Sequence, residues 1–274
     1  MKKKRWDKPY RYIHNKKVVF TVYFLLRLLV VITMILQIFN GNYQNVFVCI
    51  LTLILFMLPS IIEHRLRIDL PDALDIIVIL FIFSANILGE IREFYVLVPH
   101  WDTSLHTING FLFAAIGFSV VNIFNENKRI SMTLSPFYMA IAAFCFSMTI
   151  GVLWEFFEWG ADSILGFDMQ KDTVIHAISS VMLNPEGKNE QIVIGDIVQT
   201  TLTLADGSQY VMNIDGYLDI GLLDTMKDLL VNMVGAVVFS FFGYFYIKTK
   251  GKGKIAKMFI PEVIVEPDDN AQNK

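Results

Sequence analysis

Three acids stand in one short apolar stretch, "GVLWEFFEWGAD" at residues 151–162: Glu155, Glu158 and Asp162. At about 100° per residue they fall within roughly a 60° arc, so a helix would carry them on one face. Carboxylates are disfavoured near a helix C-terminus, where the macrodipole is negative, and something must compensate them. Other segments repeat the pattern. "HWDTSLHTING" sets Asp102 and His106 four residues apart, and "LLDTMKDLLVNMVG" sets Asp224, Asp228 and Asn232 along one stripe. "SANILGEIREF" puts Asn86, Glu90 and Glu93 on a further face.

Carboxylates gathered with one imidazole suit two chemistries. They hold a divalent cation, with Mg²⁺, Ca²⁺ or Mn²⁺ favoured by oxygen-rich shells and Zn²⁺ by the nitrogen. They also serve as acid and base where burial pushes one carboxyl pKa upward. The catalytic candidates are Glu155, Glu158, His106 and Asp228, and the metal-ligand candidates are His106, Glu155, Glu158, Asp162, Asp224 and Asp228. Asp102 and Asn232 are further polar positions of the same layer. Structural roles compete with these. Asp102, Asp224 and Asp228 sit where they can cap helix N-termini, and Asn232, followed by Gly235, can hydrogen-bond across a tight helix contact. Glu155 and Glu158 have no such account, and ionisable groups at membrane depth are functional candidates.

The elements that position them are long apolar blocks. The chain is 54% hydrophobic with 23 Phe and only 18% charged residues, too apolar for a soluble domain of 274 residues. Blocks of roughly the 20 residues that a membrane span requires run over Val18–Phe39, Tyr43–Ile62, Asp72–Leu88, Leu105–Phe124, Pro136–Phe157 and Asp228–Ile247. The expected fold is an all-α integral membrane helical bundle of about six transmembrane helices, with a small extracytoplasmic cap containing a β-hairpin. Its expected parts are a basic cytoplasmic N-terminus (1–17), five spans (18–162), the cap (163–222), the sixth span (223–247) and a disordered cytoplasmic tail (248–274). The first block is too long for a signal-peptide core and lacks a small-x-small cleavage site, so it reads as a retained span.

Orientation follows from Lys and Arg. Eight precede the first block and six follow Ile247, while Arg65, Arg67, Lys128 and Arg129 lie in alternate connections. Both termini therefore read as cytoplasmic, in a membrane crossed several times. The outer side then carries sixteen acids against four basic residues, a net of −12. Such a surface attracts cations and repels unaccompanied anions, while the basic inner fringes should meet anionic lipid heads. At 1.5 Å per residue, Glu158 lies about 33 Å along its helix, near the edge of a hydrocarbon core about 30 Å thick. His106 and Asp228 come to similar height, with Asn232 a turn deeper.

The rest of the chain supplies context. "TTLTLADGSQYVMNI" alternates around Asp206–Gly207 and reads as a hairpin with a primed turn. "QKDTVIHAISSVML" reads as a short interfacial helix with Val174, Ile175, Ile178, Val181 and Met182 on its apolar side, which places His176 near the acids as a further ligand candidate. Arg27 either pairs with an acid or snorkels. Cys49 and Cys145 read as packing residues inside spans. No Walker loop, dinucleotide fingerprint or nucleophile elbow is present, and nothing supports nucleic-acid binding.

"LGEIREFYVLVPHWDTSLHTINGFLFAAIGF", "LWEFFEWGAD" and "LLDTMKDLLVNMVGAVVFS" together resemble the YjdF-type family of bacterial polytopic membrane proteins, over residues 70–247. More distantly, H…E-x-x-E…D-x-x-x-D-x-x-x-N-x-x-G resembles the VanZ-like proteins, some of them linked to teicoplanin resistance. The first family has no established activity. The resemblance thus implies an architecture and the motif set His106, Glu155, Glu158, Asp224, Asp228 and Asn232, not a reaction. The long segment between the fifth and sixth spans departs from the compact VanZ pattern. Three functions stay open: an enzyme acting at the outer leaflet on a lipid or lipid-linked envelope precursor, a non-catalytic protein whose acids organise the bundle or a partner, and an ion- or proton-coupled transporter. Expected partners are membrane lipids and, for the first function, such a precursor.

Overall fold

A computed structural model describes residues 17–66, 68–126, 134–251 and 253–263. The basic N-terminal segment, Arg67, Lys128, Arg129 and the acidic stretch from 264 onward lie outside the described residues. The helices are α1 (Lys17–Phe39), α2 (Tyr43–Leu55), α3 (Leu58–Leu66), α4 (Asp72–Phe83), the short α5 (Phe94–Leu97), α6 (Trp101–Glu126), α7 (Pro136–Gly160), α8 (Leu222–Lys248) and the short α9 (Lys254–Lys257). Among the described residues, six helical stretches are long and apolar enough to cross a membrane, α2 and α3 counting as one span. Side chains such as Phe20, Phe47, Phe137 and Phe241 stay exposed on their outer faces, as lipid contact requires.

The chain forms two compact units, Met1–Gly151 with Val231–Lys274, and Val152–Leu230. In the first, Leu26, Val30, Cys49, Phe56 and Ile79 make one core cluster, and Phe118, Met139, Ala143 and Phe239 anchor another. Cys49 is buried as expected, but Cys145 is exposed on its helix and packs no core. Arg27 lies over the Tyr23 ring, 4.4 Å from its centroid.

Two expectations fail in this unit. The third span does not end as a regular helix: α4 passes into a π-helical stretch, Ser84–Ile91, and Glu93 adopts a left-handed conformation with φ 59°. An extra residue per turn rotates the positions beyond it, so Glu93 does not share a helix face with Asn86. Nor is the stretch after α8 a disordered tail throughout. Strand β8 (Glu262–Val263) pairs antiparallel with β1 (Ile68–Asp69). Phe259 packs edge-on against Phe111, with centroids 4.8 Å apart, and Ile260 is buried in the same cluster. The apolar residues Phe259 and Ile260 follow the run of lysines and give this stretch surface to bury.

The second unit is built from short antiparallel pairs. Strand β2 (Val174–Ile175) pairs with β7 (Tyr217–Leu218), β3 (Ile178–Ser180) with β4 (Ile192–Ile194), and β5 (Thr201–Thr203) with β6 (Gln209–Val211). The interfacial helix expected over 170–183 is therefore absent among the described residues. The apolar spacing fits a helix, yet the β-branched Thr173, Val174, Ile175, Ile178 and Val181 favour strand. The β5–β6 hairpin is where it was expected, with a different turn. Leu204 N donates to Ser208 O at 2.8 Å, Gly207 N donates to Leu204 O at 2.9 Å, and in the loop Gly207 alone has positive φ, 85°. That is a three-residue loop, a type I turn closed by a glycine bulge, where a primed turn would need positive φ at Asp206 too. Ser208 donates from its backbone N and hydroxyl to Asp206, holding that carboxyl below the usual range.

Candidate functional site

In the first unit, Asp102 occupies the first turn of α6, and its carboxylate lies 3.5 Å from His106 Nε2, one turn on. His106 is buried, so its imidazole is held against that acid out of bulk water. One turn further, three helices touch through small residues. Ser147 of α7 donates its hydroxyl to the Gly110 carbonyl at 2.7 Å. A Cβ added at Gly110 would overlap the Asn232 carbonyl, and one at Gly235 would overlap the Thr107 carbonyl. The Asn232 amide nitrogen lies 2.7 Å from where a Cβ on Gly151 would stand. Glycines at 110, 151 and 235 thus let the backbones of α6, α7 and α8 approach closely, as in small-residue crossings of membrane helices. Asn232 is wedged at their centre, 1% exposed. Its amide lies 3.6 Å from Met148 Sδ, and its carbonyl Oδ1 accepts no hydrogen bond among the described residues.

In the second unit, Glu155 and Glu158 are 4% and 8% exposed, whereas Trp154, Phe156, Phe157 and Trp159 are open. The acids therefore turn inward and the aromatics outward, against the expectation for charged side chains at a helix end. Trp154 Nε1 donates to Glu158 Oε1 at 2.8 Å. Asp228, one turn before Asn232 on α8, is 1% exposed. Burial of this depth raises the energetic demand on each carboxylate, which must be matched by protons, donors or a cation.

The remaining candidates serve the loop that joins α7 to the strands. After a π-helical turn, Ala161–Leu165, and a left-handed Gly166, the two oxygens of Asp162 accept from Met169 N at 2.6 Å and Gln170 N at 2.8 Å. Asp224 accepts from Lys171 N at 2.8 Å, with Lys227 Nζ 3.8 Å from its other oxygen. Asp219 accepts from Thr173 N and Leu223 N, at 2.7 and 2.6 Å. These bonds stitch residues 169–173 to the start of α8 and give Asp162 and Asp224 a structural occupation. His176 Nδ1 pairs with the Ile197 carbonyl at 3.0 Å and is exposed, a turn-holding role.

Sequence reasoning missed Gly110, Gly151, Ser147 and Asp219. Asp219 carried a signal: two residues before Gly221 and five before Asp224, it is a helix-entry carboxylate. Gly110 and Gly151 sit at i+4 and i−4 from His106 and Glu155, a pattern that becomes informative only once the helices are known to adjoin.

A local electrostatic consequence is testable. Partial burial, then the carboxylates of Asp168, Asp219 and Asp162, push the Asp172 carboxyl above its usual range. A raised folded-state pKa favours the protonated acid: its stabilisation is complete below the unfolded value of about 3.9 and is lost as pH rises through the folded one. Asp172→Asn should therefore raise the thermal midpoint at neutral pH, and the gain should vanish in acid. A gain equal at both pH values would mean that charge is not the cause.

Comparison with curated proteins and with solved structures returns no match. The VanZ-like resemblance has no support from these comparisons. DUF2238, a family described as a predicted membrane protein, matches residues 21–249, which take in nearly all of the six spans, and the chain belongs to that family.

Proposed function

We propose that this membrane protein carries a divalent-cation site at its outer face, made by His106, Asp102, Glu155 and Asp228, through which it acts on a lipid or lipid-linked envelope precursor. The observation that carries the reading is the three-helix crossing at Gly110, Gly151 and Asn232. Four residues make about one helical turn. His106, Glu155 and Asp228 thus each stand one turn from that level, on the faces that carry Gly110, Gly151 and Asn232. Successive spans alternate in direction, so α6 and α8 begin, and α7 ends, on the same side. On this reading one imidazole and two carboxylates, each buried, share a level, and Asp102 joins them through its pairing with His106.

Oxygen donors with one nitrogen fit Mn²⁺, Mg²⁺, Ca²⁺ or Zn²⁺, with ligand distances of about 2.0–2.6 Å. The substrate class follows from charge. An outer face with sixteen acids and four bases repels a bare phosphate, whereas a bound divalent cation would bridge the acids to a phosphorylated lipid head. The Lys/Arg alternation supports cytoplasmic termini, and the family resemblance a bacterial cytoplasmic membrane. A non-catalytic role for the neighbouring acid Glu158 draws on its bond from Trp154, which gives one carboxylate oxygen a donor within its own helix.

Metal analysis of the purified chain tests the proposal. Wild type should hold a stoichiometric divalent ion, His106→Ala should lose it, and reporters fused at the C-terminus should read cytoplasmic. Wild type that carries no more metal than His106→Ala, even after incubation with Mn²⁺, Ca²⁺ and Zn²⁺, would sink the reading. An extracytoplasmic C-terminus would move the site to the other face.

A further inference from the structure

Away from the acids, α7 and α8 leave a groove of about 420 Å³ between them, within the first unit. Its floor includes the small residues Ala140 and Ser240, and its walls are aromatic or branched: Phe137, Ile141, Phe241 and Tyr244. Phe137 and Phe241 are 66% and 59% exposed, so the slot opens outward from the bundle. The lining is apolar, and no ionisable group other than the Tyr244 phenol faces it. One end of the groove is different. Lys248 Nζ stands 5.5 Å from the centroid of the Tyr244 ring, and Lys250 follows two residues on. An open apolar groove, finished by cations at the end of a membrane span, complements one class of ligand: an acyl chain attached to an anionic head.

We propose that the α7–α8 groove is a binding site for an anionic phospholipid, its acyl chain along Ala140 and Ser240 and its phosphate on Lys248 and Lys250. The lysines reach the head by extending beyond the hydrocarbon while their stems cover the Tyr244 ring. The aromatic walls hold the chain by dispersion contact and resist the exchange seen for lipid on a smooth helix face. The site stands independently of the cation site, sharing none of its residues and relying only on membrane insertion.

Full-length protein reconstituted into phosphatidylcholine vesicles, with spin-labelled phosphatidylglycerol or phosphatidylcholine as probe, reads the site as the relative affinity of the immobilised lipid. Phosphatidylglycerol should be preferred. Each near-surface lysine contributes about fivefold to attraction of an anionic head, so Lys248→Gln with Lys250→Gln should remove most of the preference. Ala140→Phe, which fills the slot from its lipid-facing side, should reduce the immobilised fraction for both probes. Equal affinity of the two probes for wild type overturns the proposal. So does a preference that survives the double lysine variant. A wild-type dimer that Ala140→Phe converts to monomer, with lipid selectivity unchanged, would assign the groove to a second copy of the chain instead. Unchanged helicity by circular dichroism confirms that both variants fold.

Discussion

Gly110→Ala and Gly235→Ala should each destabilise the protein by at least about 3 kcal/mol, the upper range of single-site overpacking. The added methyl would meet backbone: the Asn232 carbonyl at Gly110 and the Thr107 carbonyl at Gly235. A side chain can rotate away from a methyl group, but a helix carbonyl moves only with its helix. Separating α6 from α8 would also strain the Ser147 hydroxyl bond to Gly110 and loosen the packing around Asn232. Gly160→Ala is the internal control. Gly160 is helical, with φ −66°, and a Cβ there meets no described atom within 4 Å. Alanine is the better helix former by up to about 1 kcal/mol, so this variant should be neutral or slightly more stable. Unfolding in a graded detergent series measures all three. If Gly110→Ala and Gly160→Ala behave alike, the close crossing of α6 and α8 is wrong.

The same crossing shows where sequence stops informing. Apolar blocks of span length are legible because lipid demands the same composition around a whole helix, so six spans follow without any knowledge of packing. That Asn232 and Gly235 mark a tight contact was also legible, since a small residue one turn inside a span has few other uses. Their partners were not: nothing in one sequence says that Gly110 faces Asn232, or Ser147 faces Gly110, rather than lipid. The acids divide in the same way. Periodicity put Glu155 and Glu158 on one face, and both are buried. It put Asp162 with them, and Asp224 in line with Asp228, equally well, yet these hold loop backbone, an occupation that depends on a π-helical turn and a left-handed Gly166 that no spacing rule anticipates. In the second unit, the stretch around Ile175 satisfies helical and strand periods at once. Its pairing with Tyr217, more than forty residues away, decides the outcome, and a local pattern cannot contain that pairing.

Glu155→Gln and Asp228→Asn should have opposite effects on the protein with and without metal. Both carboxylates are deeply buried, and both amides preserve size while removing charge. In metal-free protein, the acids of the proposed site would repel each other or take up protons, so removing one charge should raise the thermal midpoint. With a divalent cation, wild type should gain what its ligand binding supplies: about 2.7 kcal/mol when free metal exceeds the dissociation constant a hundredfold. For a chain of this size that corresponds to a shift of about 5–10 °C. The variants should gain little, because an amide oxygen carries no formal charge to offer the ion. His106→Ala should also lose the metal-dependent gain, but without the metal-free stabilisation, since it removes no negative charge. This crossing of effects separates a cation site from a structural network. In a network of hydrogen bonds, the amides would destabilise the protein modestly in both conditions, and added metal would leave every midpoint where it was. Parallel shifts of wild type and all three variants on metal addition would point to ions held elsewhere on the acidic surface, and would remove His106, Glu155 and Asp228 as ligands.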